Sequence, residues 1–481
     1  MTAVSPFRQR AAQALGDGRL RRAVRFSTDR FAAARRAALS ELSAMAAEGW
    51  ASGDFESLRR RAHAIKADVV ANLDRYLEQA TAAIRARGGQ VHWAADGHQV
   101  GAIVRGLASR RGVQLVVKSK SMATEEVHLN AELAKGGLEV VETDLGEFII
   151  QLAGETPSHI VGPSIHKSRD EVARLFGELV GHPVAPDTPT LTRVAREVLR
   201  EKFLAAGLGI SGANFLVAET GTLVVVTNEG NGRMVTSLPP VHVAVVGIEK
   251  LIPRLSDLPV FLNLLARSAT GQKMSVYTHL ITGPRQAGEP DGPEELHVIL
   301  LDNGRSRIRR SAYREILHCI RCGACLNHCP VYQNLGGHAY GTVYSGPVGV
   351  VLTPQLAGLA DWRALPAEAC SLCAACTEVC PVGIPLHELI LRERAEIAAG
   401  GLDESGLGRP LAVLAWLWGH PAGFRLSVKV GRWLARLLGR GRDEWVSRLP
   451  GLLGNWTAGR DLLRPAPVSF QELWANRRRN R

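Results

Sequence analysis

"HCIRCGACLNHCPVYQ", residues 318–333, sets Cys319, Cys322, Cys325 and Cys329 in the pattern C-x2-C-x2-C-x3-C and closes it with Pro330. After residues 330–369 the same spacing returns as Cys370, Cys373, Cys376 and Cys380, again followed by proline, Pro381. These eight are all the cysteines of the 481-residue chain. Three thiolates spaced by two residues wrap three corners of an iron-sulfur cube in one loop, while the fourth, displaced by a turn and redirected by proline, reaches a neighbouring cube. The duplication therefore predicts two [4Fe-4S] clusters with crossed ligands. Cys319, Cys322, Cys325 and Cys380 would hold one, and Cys329, Cys370, Cys373 and Cys376 the other. Structural zinc favours two close pairs separated by a longer stretch. Cubes built from shared segments exchange electrons and leave no open coordination position, so the module reads as a wire rather than a catalyst. The linker between the runs, with His338, Tyr340 and Tyr344, suits a helical ferredoxin in which those rings cover the clusters and exclude water.

Upstream the pattern changes twice. Residues 1–88 carry apolar positions at spacings of three and four, as in "RFAAARRAALSELSAMAAE", and end at Gly88-Gly89, which predicts a helical N-terminal region. Residues 89–308 alternate short apolar runs ("VQLVVK", "LEVVET", "FIIQL", "FLVAE", "TLVVVTN", "VHVAVVG", "LHVILLD") with helical stretches such as "TEEVHLNAELAKG" and "LTRVAREVLREKFLAAG". This is the signature of an α/β domain. Residues 309–400 form the α-helical two-cluster ferredoxin domain, and 401–481 a helical, basic C-terminal tail.

Composition bounds the function. Hydrophobic residues make up 46% and charged residues 22%, ordinary for a globular chain long enough for several cores. The arginine-broken start "MTAVSPFRQRAAQALGDGRLRRAVRF" does not resemble a signal peptide, and "LAVLAWLW" at 411–418 falls short of the roughly 18 apolar residues of a membrane span. The expected location is the cytoplasm, where disulfides are disfavoured. Residues 421–481 hold thirteen Lys or Arg against four Asp or Glu, most of the net charge of +12. There Arg425, Lys429, Arg432, Arg436 and Arg440 step along one helical stripe. Six of the nine tryptophans (Trp416, Trp418, Trp433, Trp445, Trp456, Trp474) lie in the same tail. A basic amphipathic helix of this kind suits the anionic inner face of a membrane, an acidic protein surface, or a layer on the protein's own body. Nucleic acid is not expected, because the body lacks a basic surface.

Within the α/β region, polar residues gather where strands should end. Lys118, Ser119, Lys120 and Ser121 follow one apolar run; Glu142, Thr143, Asp144 and Glu147 follow another; "ETGT" and "NEGNGR" bring Glu219, Asn228, Glu229, Asn231 and Arg233. Ligands of open α/β sheets bind in the crevice at such ends. Lys118, Lys120, Glu219, Asn228 and Arg233 are the candidate substrate-binding residues, although turns alone also explain the glycine-rich pieces. No G-x-G-x-x-G, P-loop or G-x-S-x-G occurs. His159, His166, His242 and His297 are candidate acid-base groups, and none is singled out as the base.

The segments "RGGQVHWA", "KSKSMATEEVHLN", "ETDLGEFIIQL", "PSHIVGPSIHK", "AETGT", "NEGNGR", "ATGQKMSVYTH", "DGPEELHVILLDNGRSR" and "IRCGACLNHCPVY" together resemble the lactate utilization protein B family, LutB. The resemblance covers residues 5–400. It implies that the α/β part is a LUD domain, similar to the sugar-isomerase and CoA-transferase-like fold. It further implies LutA-like and LutC-like partner subunits, and a role as iron-sulfur electron-transfer subunit in oxidising L-lactate to pyruvate. One departure stands out: the family's second run often lacks cysteine at its first position, where this chain has Cys370. Two other readings stay open. The LUD domain itself oxidises a hydroxy acid, or the clusters serve as a redox sensor.

Overall fold

The computed structural model describes residues 6–49, 51–402 and 408–438, and beyond these 445, 446, 449, 454, 461–463, 466 and 468–479. Two compact units emerge, Met1–Leu402 and Asp403–Arg481.

The first unit is built on ten strands: β1 Gln90–Ala94, β2 Leu115–Lys118, β3 Glu139–Glu142, β4 Leu208–Ser211, β5 Phe215–Val217, β6 Thr222–Thr227, β7 Val241–Gly247, β8 Leu251–Ile252, β9 Tyr277–Ile281 and β10 Glu295–Leu301. Six of them form a wholly parallel sheet in the order β1-β10-β7-β4-β2-β3. Its central strand, "VHVAVVG", is buried along its whole length, as a parallel strand covered on both faces must be. Alternation sorts its side chains. Ala244 and Val246 pack with Leu77, Ala80 and Ile84 of the helix Leu73–Ala86, whereas Val243 and Val245 pack with Val100 and Val104 of the helix Gly97–Arg110. Each such valine withdrawn from water contributes about 1.5–3 kcal/mol. The other four strands make a small mixed sheet, β8-β5-β6-β9, backed by the helix Leu258–Ala269 through Phe215 and Phe261.

Two local expectations fail. "FIIQL", read as a strand-like run, lies in the helix Leu145–Leu152. Asp144 caps this helix by accepting the Gly146 N–H, and Phe148 packs on Phe176. A short apolar run carries no period of its own, and the N-cap decided the outcome. "TEEVHLNAELAKG", read as one helix, is two, Met122–Glu126 and Leu129–Ala134, broken at His128 in the left-handed region (φ 49°).

The N-terminal helices Gly18–Ala47 and Phe55–Ala71 reach across to the second cysteine run. Arg35 donates to Val379 O (3.0 Å), Arg59 to Cys380 O (2.8 Å) and Thr377 O (2.9 Å), and the His63 ring hydrogen-bonds Val382 O (2.9 Å). At the α/β side of the same region Gly337 touches the backbone of Ser158: a Cβ there would sit 1.8 Å from Ser158 O.

The second unit contains the helices Gly408–Gly419, Pro421–Leu438 and Phe470–Arg479 and a short antiparallel pair, Trp445–Val446 with Leu462–Leu463. The expected basic helix is present over Arg425, Lys429, Arg432 and Arg436; Arg440 and Trp456 lie outside the described residues. Arg432 pairs with Glu472 (3.1 Å), and Leu426, Trp433 and Leu434 are exposed. Among the described residues no helix is long and apolar enough to cross a membrane.

Candidate functional site

The two cysteine runs fold alike. In each, the N–H two residues beyond the first cysteine points at its sulfur: Arg321 N to Cys319 Sγ (3.4 Å) and Leu372 N to Cys370 Sγ (3.3 Å). Both donors adopt positive φ, 60° and 56°, and so do the residues after the second cysteine, Gly323 (75°) and Ala374 (62°). For residues other than glycine the left-handed region costs about 1–2 kcal/mol each. Two loops holding the same strained conformation are shaped around something they enclose.

Cys319, Cys322, Cys325 and Cys380 line one small internal cavity, which brings the last cysteine of the second run to the first three of the first run. Cys329 in turn feels Cys370 and Cys373, and Cys376 feels Cys370, Cys329 and Cys373. Burial together with neighbouring thiols pushes Cys322 and Cys376 up to about 12 and Cys329 and Cys380 up to about 11. Thiolates so crowded require a cationic core, and four sulfurs around one cavity fit an iron-sulfur cube. Tyr332, Tyr340 and Tyr344 of the linker are buried beside them. Tyr332 donates to Ser158 O (2.7 Å), and Tyr340 lies within electrostatic reach of Cys329, Cys370 and Cys325.

A second, larger cavity of about 530 Å3 opens at the C-terminal ends of the parallel strands. It is a volume of ligand size. Its wall includes Lys120 and Asp144 from the turns after β2 and β3, Glu229 and Asn231 from the segment after β6, and Lys250 after β7. On its far side it reaches Arg321 and Cys322 of the first cysteine run. Apolar side chains, among them Ile149, Val226 and Leu265, make up much of the rest.

The candidate substrate residues part company here. Lys120 and Asn228 line the cavity; Lys118, Glu219 and Arg233 do not. Lys118 is fully buried because the register sets it opposite Glu142. Its ammonium pairs with Glu142 (2.6 Å) and Glu125 (2.8 Å), which more than offset burial and raise it above the ordinary lysine value. Glu219 accepts the Leu255 N–H (3.0 Å), and Arg233 lies exposed on the helix Asn231–Ser237. Lys120 is held by Glu147 (3.2 Å) and Val161 O (3.0 Å), and Asn228 donates to Gln272 (2.7 Å).

None of the four candidate acid-base histidines lines this cavity. His159 accepts the Val161 and Gly162 N–H groups at Nδ1 (3.0 and 3.1 Å) and meets Asn327 at Nε2 (3.1 Å). His166 pairs with Glu155 (2.7 Å), His242 with Ser211 (2.8 Å) and His297 with His92 (3.0 Å). A wall group shifted toward neutrality is instead Glu229, which burial and then the neighbouring Asp144 raise to about 7. Behind it Glu147 is raised as well, by burial first and then by Asp144.

Between cavity and cysteines runs a buried ionic chain that the sequence did not announce. Arg305 grips Glu126 with both terminal nitrogens (2.7 and 2.8 Å) and Glu249 with Nε (2.5 Å). Glu249 also accepts from Arg321 (3.3 Å), which lies over the Tyr344 ring at 4.9 Å, and Tyr344 donates to Glu126 (2.6 Å). Although burial opposes it, Arg305 and Arg321 hold the Glu249 carboxyl down to about 2. Lys66 donates to the backbone oxygens of Glu249 and Leu251. Lys250, the next residue along, is lowered to about 8, by burial first and then by Arg321. Glu249 and Lys250 follow "VHVAVVG" as Lys118 follows "VQLVV", so the reasoning applied to one strand end would have found them at the other.

A parallel α/β sheet with a ligand-sized crevice, joined to a helical module presenting duplicated cluster-binding loops, defines an iron-sulfur protein of the LUD class. The LUD domain matches residues 77–301 and the 4Fe-4S dicluster domain residues 315–384. The chain is 41% identical over 98% of its length to lactate utilization protein B of Bacillus subtilis (strain 168), covering 96% of that protein. It is equally 41% identical, over 98% of its length and 96% of the relative, to the uncharacterized electron transport protein YkgF of Escherichia coli (strain K12). A crystal structure of a DUF162 family protein from Deinococcus radiodurans aligns over 48% of this chain and 98% of its own with 15% identity and a TM-score of 0.27, too slight a likeness to build on. The chain belongs to the lactate utilization protein B family.

Proposed function

We propose that this chain is the iron-sulfur electron-transfer subunit of a multi-subunit system that oxidises L-lactate to pyruvate for use as a carbon source. The observation that carries the reading is the shared wall: Arg321 and Cys322 belong both to the sheet-end cavity and to the pocket of the first cysteine set. In this reading Cys319, Cys322, Cys325 and Cys380 hold one [4Fe-4S] cluster and Cys329, Cys370, Cys373 and Cys376 a second. When bound, the two clusters supply one-electron storage and transfer. The chain's own contribution is to set Tyr332, Tyr340 and Tyr344 beside the cysteines, of which Cys373 alone is exposed, and to fix Arg321 against the first set through Glu249. Oxidation of a hydroxy acid releases two electrons and two protons at one carbon. Partners of the LutA and LutC type, named by the resemblance, would share that chemistry. The location proposed is cytoplasmic, with the basic helix Pro421–Leu438 touching an acidic partner or the inner face of the membrane.

A second reading makes the LUD domain catalytic. The Asp144–Glu229 pair favours it, because a carboxyl raised to about 7 on a cavity wall is poised to accept a proton. One experiment separates the two: anaerobic visible and EPR spectroscopy of the purified protein with L-lactate alone and then with its partner subunits. Reduction only with partners supports the wire, and reduction by lactate alone supports the catalytic LUD domain. Undiminished lactate growth and iron content in Cys322→Ala and Cys373→Ala would overturn the electron-transfer reading.

A further inference from the structure

The α/β half and the cysteine module meet at a joint made of two loops. One is the segment between the helices Leu145–Leu152 and Arg169–Val180, and the other carries the single helical turn His338–Tyr340. Tyr332 donates to Ser158 O (2.7 Å) and the Gly337 N–H to Ser158 Oγ (3.3 Å), which pins the two loops together. Three side chains converge beside these contacts, Glu155 and His166 from the first loop and His338 from the second. One ligating atom from each lies within 4.8 Å of the others. None of the three lines the sheet-end cavity or the pocket of the first cysteine set, so the site is separate from both.

Hydrogen bonds around the two rings fix where their lone pairs lie. His338 Nε2 meets Thr156 O (2.7 Å); a carbonyl only accepts, so in the neutral ring Nε2 carries the proton and Nδ1 the lone pair. His166 turns Nε2 to Oε2 of Glu155 (2.7 Å), while its Nδ1 is buried with no partner among the described residues. Lys167 takes the other carboxylate oxygen, Oε1, and leaves Oε2 to the histidine side. A ring that gives one N–H to a carbonyl or carboxylate and presents its other nitrogen is arranged as proteins arrange histidine ligands. The two rings stand edge to face with centroids 4.6 Å apart, so protonating both would set like charges side by side. A shared metal ion uses both rings neutral.

We infer that Glu155, His166 and His338 bind a divalent transition metal of the zinc type at the joint between the α/β half and the cysteine module. Two imidazoles and a carboxylate suit a borderline ion that accepts both nitrogen and oxygen, whereas magnesium and calcium favour oxygen throughout. Ligands about 2.0–2.2 Å from a tetrahedral ion stand about 3.3 Å from one another, so the three side chains need only small adjustments, and water completes the fourth position. The ligands come from both sides of the joint. His338 is also two residues from Tyr340, which lies within electrostatic reach of Cys329, Cys370 and Cys325. The ion therefore acts as a clasp that holds the linker beside the cysteines. The site owes nothing to the electron-transfer reading, and either can fail without the other.

The test uses the full, cluster-loaded chain, freed of loosely held metal by a mild chelator at unchanged iron content and titrated anaerobically with zinc. Calorimetry should show one site per chain with a Kd of about 1 μM or tighter, and magnesium about a hundredfold or more weaker. X-ray absorption at the zinc edge should give a first shell of nitrogen and oxygen at about 2.0–2.2 Å. Sulfur at about 2.3 Å would mean that zinc had gone to the cysteines, and would overturn the assignment. Glu155→Gln, which keeps an acceptor for His166 but loses the charge, and His338→Gln should each lose about tenfold or more of zinc affinity with unchanged iron content. Saturating zinc should raise the Tm of the parent chain and leave that of His338→Gln in place. No zinc binding by the cluster-loaded parent, magnesium binding as tightly as zinc, full affinity in both variants, or an equal rise in Tm for His338→Gln would each overturn the site.

Discussion

His159 joins the α/β half of the first unit to the cysteine module, and acid should loosen that joint. Its Nδ1 accepts two backbone N–H groups, so the proton sits on Nε2 and is donated to Asn327, two residues beyond Cys325. Burial, reinforced by the nearby Lys120, holds the ring from its ordinary 6.5 down to about 4. The sign follows from linkage. Between those values the unfolded chain takes up a proton that the folded chain refuses, so stability is fully present above pH 6.5 and is lost as pH falls toward 4. At about 1.36 kcal/mol per pH unit, that loss is about 3 kcal/mol for this residue alone. His242, held to about 3 by burial and then His297, and His318, held to about 3 by burial and then Lys66, lose stability in the same window. The informative quantity is therefore the difference between the parent chain and His159→Asn. Near neutral pH the variant should be weaker by about 1–3 kcal/mol, the cost of leaving the Val161 and Gly162 N–H groups short of a partner. Guanidinium unfolding followed anaerobically from about pH 7 to about pH 4.5 should show the two curves converging on acidification. Parallel curves would refute the assignment of a buried, neutral His159.

Three further outcomes follow from the geometry. Gly337→Ala should cost about 3 kcal/mol or more, because its Cβ would lie 1.8 Å from Ser158 O and the three nearest atoms are all Ser158 backbone; thermal unfolding measures it. Ala374→Gly should instead stabilise by about 0.5 kcal/mol, since release from the left-handed region outweighs the added flexibility of the unfolded chain. Arg59→Met removes the donors to Thr377 O and Cys380 O; a loss of about 1.5–3 kcal/mol and faster release of iron in air are expected, while intact iron retention would count against the clamp.

The cysteine pattern was legible because each step of two or three residues is a geometric instruction, and in the structure Cys380 lines one cavity with Cys319, Cys322 and Cys325. The parallel sheet was legible from β-branched runs such as "VHVAVVG". What escaped depended on partners distant in the chain. Lys118 and Lys120 look equivalent in sequence, yet register gives one to Glu142 and the other to the cavity wall. "FIIQL" lacks a period long enough to declare itself, and Asp144 made it helical. Lys250, which follows "VHVAVVG" in the short turn Ile248–Lys250, was not among the candidates, although the crevice rule points to every strand end of one sheet edge.

The clamp formed by Arg35, Arg59 and His63 has a consequence for biosynthesis. These side chains leave the ribosome early, but the carbonyls they bind belong to residues 377–382, which emerge more than three hundred positions later. Cys380 completes its set at the same late moment. The N-terminal helices must therefore wait, their arginines solvated, until nearly the whole polypeptide has been made. On the proposed ligand set, loading of the first cluster and docking of those helices both await residue 380, and a nascent chain arrested before it would complete neither.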